Sequence, residues 1–403
     1  MKQKRLGGLC AAAIFLLCAL MTGFYLIVGY GAYLDSDMAS ELALASHLAK
    51  EGALISSTWA YSTEVRVLST QLVFTPLMAL FPHNWRLVRT LGCLILQAAL
   101  AASAYFCGRS LGARKRFALL FAGLSISVCS VVYAQMITIG AYYVPHAVLT
   151  NLYVGLTARL MTERKHGRRR GILALLIALS VLMGASSIRY LFCATIPAAA
   201  AGVWTYLFPA GDESAPGEER DQIGFLLTLI GFVFSVGGFL IGQKILPKIC
   251  DYDAARYGGV RLSAFTSADM PEMMQQALGG LARLMGYSEG SVLLSVHGLA
   301  SVGALLLPAA AVILMGRALK AARRDGNNVL RVGVLTLAMS AAITALSFVL
   351  LEDLYLNRYW IPLMTLGAPV MACLLYTSWI RIWTRASGGW KRWPATCRSS
   401  ALR

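Results

Sequence analysis

Hydrophobic residues in this chain fall in long blocks, not in the short alternating or 3.6-spaced stripes of a water-soluble core. Stretches 14–28, 172–182, 225–241, 292–315 and 332–351 contain no Asp, Glu, Lys or Arg. Runs near 20 apolar residues match the ~30 Å hydrocarbon layer of a bilayer. The pattern predicts an all-α, polytopic membrane protein of about ten transmembrane helices. The spans are expected near 9–31, 87–108, 117–136, 139–160, 171–187, 189–208, 223–245, 291–316, 332–351 and 359–379. Residues 1–379 then form one transmembrane domain, and 380–403 a basic tail, either a lipid-touching end or an out-of-frame or truncated one. Two segments, about 32–86 and 246–290, are too long to be mere connectors. Long loops in a compact helical protein are usually functional or structured.

Composition sharpens this picture. The chain is 58% hydrophobic and only 14% charged, against roughly 25% charged in soluble domains, so one large water-soluble core is excluded. The net charge of +17 comes from 36 basic and 19 acidic residues. The basic residues cluster in short stretches between spans, such as Arg114–Arg116 and Arg168–Arg170, which argues for sidedness and not for nucleic acid. Placing those clusters inside puts the N-terminus in the cytoplasm and both long segments on the outer face, in what is expected to be a bacterial plasma membrane. The acidic loop 212–221 also falls inside, but acids weigh little in orientation. A basic start (Lys2, Lys4, Arg5) before an apolar run could pass for a secretory signal. The run is long for that, and Gly31-Ala32-Tyr33 is a poor cleavage site, so an uncleaved first helix is expected. The nine Cys residues are scattered, mostly in apolar runs, and no disulfide framework is readable.

The first outer segment carries the densest chemistry. Asp35 and Asp37 emerge directly after the first span, and Ser36 or Asp37 can cap a following helix. From Met38 to Glu51 the apolar Met38, Leu42, Ala45 and Ala49 fall on one face, as in an amphipathic helix lying in the interface. Asp37 and Glu41, four apart, share a helix face. Capping and solubility alone would account for these acids. Gly52 stops the helix, and Trp59, Tyr61, Ser62, Thr63, Glu64 and Arg66 follow in an aromatic-polar stretch. A second apolar run, 72–81, leads through Pro82-His83-Asn84-Trp85 into the second span. Farther along, Ser186-Ser187-Ile188 makes a tight hairpin, with Arg189 either snorkelling to the interface or aimed into a site.

This arrangement resembles the GT-C superfamily of polyprenyl-phosphate-sugar-dependent glycosyltransferases, of the protein mannosyltransferase and aminoarabinose transferase type. The resemblance lies in a first helix, an outer loop opening on an acidic motif, interfacial helices and many further spans. Two short stretches add to it, Arg358-Tyr359-Trp360-Ile361-Pro362-Leu363 and Ser187-Ile188-Arg189-Tyr190-Leu191. It implies an inverting transfer from a polyprenyl-phosphate-linked sugar to a lipid, glycan or protein acceptor. Asp35 or Asp37 would take the acceptor proton, a role suited to a carboxylate. Arg66, Arg189 and Arg358 are the outer-side cations for the donor phosphate, and Glu41, Glu64 and Tyr359 complete the substrate-binding set. Arg358 follows Glu352 and Asp353, so an interfacial ion pair is its alternative. A divalent cation, Mg or Mn, on Asp35 and Asp37 would rest on a thin ligand set. Many members show adjacent Asp-Glu, not Asp-x-Asp, which leaves open which acid is the base and whether metal is needed. The second outer segment, with Asp251, Asp253, Arg256, Arg261, Asp269 and Glu272, could close over an acceptor or simply connect.

The competing function is a transporter or lipid flippase without covalent chemistry. Such a protein lines a path with polar residues in mid-span. Here those are few, chiefly Gln97, Gln135, His146 and Asn151, which favours an enzyme working at one face.

Overall fold

The computed structural model describes residues 2–29, 34–61, 65, 67–209, 218–251, 270–292, 294–350 and 357–386. The described residues are helical almost throughout. Helix α1, Lys2–Val28, shows most of its apolar surface outward, with Leu16, Leu20 and Phe24 more than half exposed. That is the surface expected of a helix whose solvent is lipid. Further long apolar helices are α4 (Trp85–Ser110), α8 (His166–Ser186), α10 (Glu218–Ile249), α12 (Val296–Arg324) and α13 (Asn328–Leu350). The protein is therefore an integral, multi-pass membrane protein.

The expected count of about ten spans is not confirmed: among the described residues six helices are long and apolar enough to cross a bilayer, or seven if one bent pair counts as a span. Stretch 117–136 is that pair. Helix α5, Lys115–Ile126, ends at Ser127, and the chain resumes as α6, Val131–Tyr133, turned by 88° and continued by a π-helix, Ala134–Ile139. The Ser130 hydroxyl accepts the Tyr133 N–H (3.1 Å), capping the new turn, and donates to the Leu284 carbonyl (2.7 Å). Ser130 thus caps the new turn locally and ties the bend to the end of a distant helix. The next helix, α7 (Val144–Thr162), starts five residues later than the pattern suggested, with Pro145 in its first turn. Leu191–Leu207, a π-turn (Leu191–Thr195) followed by α9 (Ile196–Leu207), and the apolar part of α14 (Ile361–Ala386) are shorter apolar helices. Helix α14 runs into the expected tail, and residues beyond 386 lie outside the described ones.

Helix α2, Ser36–Glu51, forms as the amphipathic pattern predicts. Met38, Leu42, Ala45 and Leu48 are buried at helical spacing, and Gly52, at φ 66°, ends the helix in a left-handed turn. The cap is neither Ser36 nor Asp37 but Asp35, whose carboxylate accepts the Met38 N–H at 2.8 Å. The short apolar helix α3, Gln71–Leu80, packs beside it, and Phe74 fills the space left by Gly92 of α4.

Two apolar cores stack along the helices. One gathers Met38, Leu42, Phe74, Val88, Ile137, Val144, Ala277 and Trp360 around the first outer segment. The other lies towards the opposite end, around Leu111, Leu156, Leu176, Leu330 and Leu366. Helices α8 and α10 approach backbone to backbone: a Cβ added at Gly184 would lie 1.9 Å from the Ser235 carbonyl oxygen, and one at Gly238 2.1 Å from that of Val181. The two long outer segments also meet. Tyr61 N–H donates to the Asp251 carbonyl (3.0 Å), and Val65 packs with Leu246 and Cys250. Amphipathic α11, Met270–Leu284, receives the Trp360 indole N–H on its Ala277 carbonyl (3.0 Å).

Candidate active site

The acid at the head of α2 is bound on both oxygens. Asp35 Oδ1 accepts the Met38 N–H and the Tyr142 hydroxyl (2.6 Å), and Oδ2 accepts the Gln135 amide (3.2 Å). Partial burial on its own would raise the Asp35 pKa. The Tyr142, Met38 and Gln135 hydrogen bonds and the Arg89 charge outweigh it, and the carboxyl sits below its ordinary value. Asp35 is therefore a carboxylate at any physiological pH. Asp37, in the first turn of α2, is exposed.

The partner of Asp35 comes from a strained turn. After the π-helix, Gly140 is followed by Ala141 at φ 58°, a left-handed conformation costly for a residue with a Cβ. Tyr142 and Tyr143 follow immediately, before α7 begins. Tyr142 turns to Asp35, while the Tyr143 hydroxyl accepts from Arg189 Nη1 (3.1 Å). The Arg189 guanidinium stands 5.9 Å over the Tyr143 ring and 5.3 Å over the Tyr359 ring, both within cation–π range. Tyr359 lies in the 3₁₀ turn Asn357–Trp360 that opens α14. Consecutive tyrosines thus join the acid of the first outer segment to the cation of the α8–α9 hairpin. His146, one turn into α7, stacks on Tyr190 (4.7 Å) next to the same arginine.

The expected site residues are distributed unevenly around this arrangement. Asp35, Arg189 and Tyr359 belong to it directly. Glu41 turns inward: its Oε2 is 2.6 Å from Arg89 Nη1, and its other oxygen accepts the Thr70 hydroxyl. Asp37 and Glu41 therefore share a helix face in spacing but not in environment. Arg358 is in the same 3₁₀ turn as Tyr359, with its side chain outside the described residues, as are Glu64 and Arg66 altogether. His47 lies at the far end of α2, with Nε2 within 3.0 Å of Glu51, Ser56 and Thr58.

Tyr142, Tyr143 and Arg89 went unread in the sequence, and Gln135 was read only as a polar residue in mid-span. Gly140-Ala141-Tyr142-Tyr143-Val144-Pro145, an aromatic pair between a Gly and a Pro, was the available signal of a turn. Hard cations take about six oxygen ligands, and three donors already occupy the Asp35 carboxylate, which leaves about one of its four acceptor positions open. Among the described residues no three His, Cys, Asp or Glu converge.

No protein-family model and no curated protein matches the chain. Two solved structures of the oligosaccharyltransferase of Archaeoglobus fulgidus do resemble it. One is AglB in complex with an inhibitory peptide and a dolichol-phosphate (TM-score 0.51), the other the apo form (TM-score 0.52). Each is 10% identical and covers 97% of this chain, against 53% and 54% of the archaeal one. The chain thus spans about half the length of the structures it matches. At that identity the likeness concerns the fold alone: this chain folds like part of the archaeal oligosaccharyltransferase.

Proposed function

We propose that the protein is a membrane glycosyltransferase that moves a sugar from a polyprenyl-phosphate carrier to an acceptor hydroxyl on the outer face, with the N-terminus of the chain in the cytoplasm. The observation that carries this is the Asp35–Tyr142–Tyr143–Arg189 arrangement: a carboxylate and a half-buried guanidinium held together at the end of the bundle where an interfacial helix lies. Attack of an alcohol on an anomeric carbon needs an acceptor for the hydroxyl proton and a cation for the leaving phosphate. Asp35, with exposed Asp37 beside it, serves as the first. Arg189, flanked by Tyr143 and Tyr359, serves as the second, its planar fork suiting a phosphodiester. The single-displacement geometry is inverting. The Tyr142 and Gln135 donors hold Asp35 in place.

The fold likeness supports this reading, since the archaeal neighbour was solved with a dolichol-phosphate and a peptide. Incubating the purified protein with a panel of polyprenyl-phosphate sugars and candidate acceptors tests it. Release of free polyprenyl phosphate is the expected result, and repeating the assay with EDTA and with added Mg or Mn tests the divalent cation expected on Asp35 and Asp37. Absence of release from every donor, with all acceptors present, would overturn the assignment.

A further inference from the structure

One fully buried cation is given no step in the chemistry above, yet it touches α2, α3 and the turn that carries Tyr142. Arg89, 0% exposed, lies one turn into α4. Its Nη1 meets Glu41 of α2, its Nε donates to the Ile139 carbonyl (3.1 Å) and its Nη2 to the Gly140 carbonyl (2.8 Å). Its guanidinium stands 5.1 Å over the ring of Phe74 in α3 and 5.9 Å over Tyr142 itself. The same face of α4 continues the pattern at positions 93 and 97. Cys93 Sγ donates to the Ile139 carbonyl (3.2 Å) and Gln97 Nε2 to that of Ile137 (2.5 Å). A π-helix that ends in a left-handed alanine leaves carbonyls without helical partners, and buried carbonyls must be satisfied. Arg89, Cys93 and Gln97, spaced i, i+4, i+8, satisfy three of them.

We propose that Arg89, oriented by Glu41, is the positioning residue of this site: it clamps the strained Ile139–Tyr143 turn so that Tyr142 meets Asp35 and Tyr143 meets Arg189. The proposal rests on the glycosyltransferase reading for its kinetic consequence but not for its geometric one. It also gives Glu41 a task other than contact with substrate. A buried charge pair is a poor source of net stability, whereas a fork that fixes two carbonyls and one carboxylate at once is well suited to holding a turn. Ala141 makes the idea separable from general folding. Glycine accepts φ 58° without strain, so a glycine there lets the turn keep its shape with a weaker clamp.

The test uses the full-length protein in detergent or nanodiscs and two readouts. In the transfer assay, R89K and E41Q are expected to lower kcat by about ten- to a hundredfold, as small misplacements of reacting groups do, with KM for the lipid donor little changed. A141G is expected to return part of the lost kcat in R89K. Fluorine NMR of 3-fluorotyrosine placed at position 142 reports the turn without any turnover. D35N should move the resonance, R89K should move it likewise, and R89K/A141G should return it towards wild type. An unchanged kcat in E41Q, or a resonance that R89K does not move, overturns the proposal. E41Q serves as the deciding variant if R89K fails to fold. A wild-type protein with no transferase activity but with the expected fluorine shifts would sink the functional reading and leave the clamp standing.

Discussion

Asp35 performs two tasks that the same hydrogen bonds serve. It caps α2 through the Met38 N–H and presents a carboxylate tied to Tyr142 and Gln135. The sign of the pH effect follows from its lowered pKa. The contribution of Asp35 to stability is present above the unfolded aspartate value of about 3.9 and is lost as pH falls through the lower folded value. The melting temperature of Asp35→Asn should therefore fall short of wild type by its largest margin near neutral pH. The gap should close as pH falls below the unfolded value and through the lower folded one; a gap independent of pH would contradict the carboxylate's role. Tyr142→Phe removes one strong donor to Asp35 and should cost about 1–3 kcal/mol of whichever process depends on that bond, read as lowered transfer rate or unfolding temperature. At this scale the acids were legible in the sequence because they stand alone after an apolar span. Their partners were not, because Gln135 and Tyr142 are 100 and 107 residues away and look like span residues until the chain is seen to turn between them.

The elements themselves were read with mixed success, and the reason is the same in each case. Helix α2 follows from a local pattern, apolar positions three and four apart with a glycine stop, and it stands almost where the pattern put it. Stretch 117–136 is uncharged throughout and reads as one span, yet it bends by 88°. The bend depends on Leu284, a carbonyl more than 150 residues away that accepts from Ser130, and composition carries no trace of it. Close helix approach was equally hidden. Gly184 and Gly238 let α8 and α10 touch at the backbone, as small residues do between membrane helices. Gly238→Leu should force the pair apart at a cost of about 1–3 kcal/mol or more. Lower thermal stability in detergent, with a larger loss than for Gly237→Leu, is the expected readout, since Gly237 faces open space.

For the molecule as a whole, the distribution of charge and apolarity defined a membrane protein at once, and the structure agrees. The number of crossings was harder to read, because apolar helices of 10–17 residues, such as Leu191–Leu207 and Ile361–Tyr376, fall short of a full crossing by length yet read as spans in a hydropathy scan. Sidedness is testable directly. Single cysteines introduced at Asp37 and Arg168, in a background with Cys10 and Cys129 removed, should label from opposite faces, position 37 from outside. Labelling of both from one face would contradict the orientation that places Asp35 and Arg189 together on the outer surface.

The account depends most on the claim that the acids at the head of α2 carry out sugar transfer. The rate of polyprenyl-phosphate release by the Asp35→Asn/Asp37→Asn double variant, measured beside wild type in the same membranes and at the same expression, tests that claim most directly. Loss of a proton acceptor at the reacting hydroxyl predicts a fall of about 10²–10⁴-fold, with insertion and cooperative unfolding retained at the lower melting temperature expected of Asp35→Asn. A double variant that transfers sugar at the wild-type rate would contradict it.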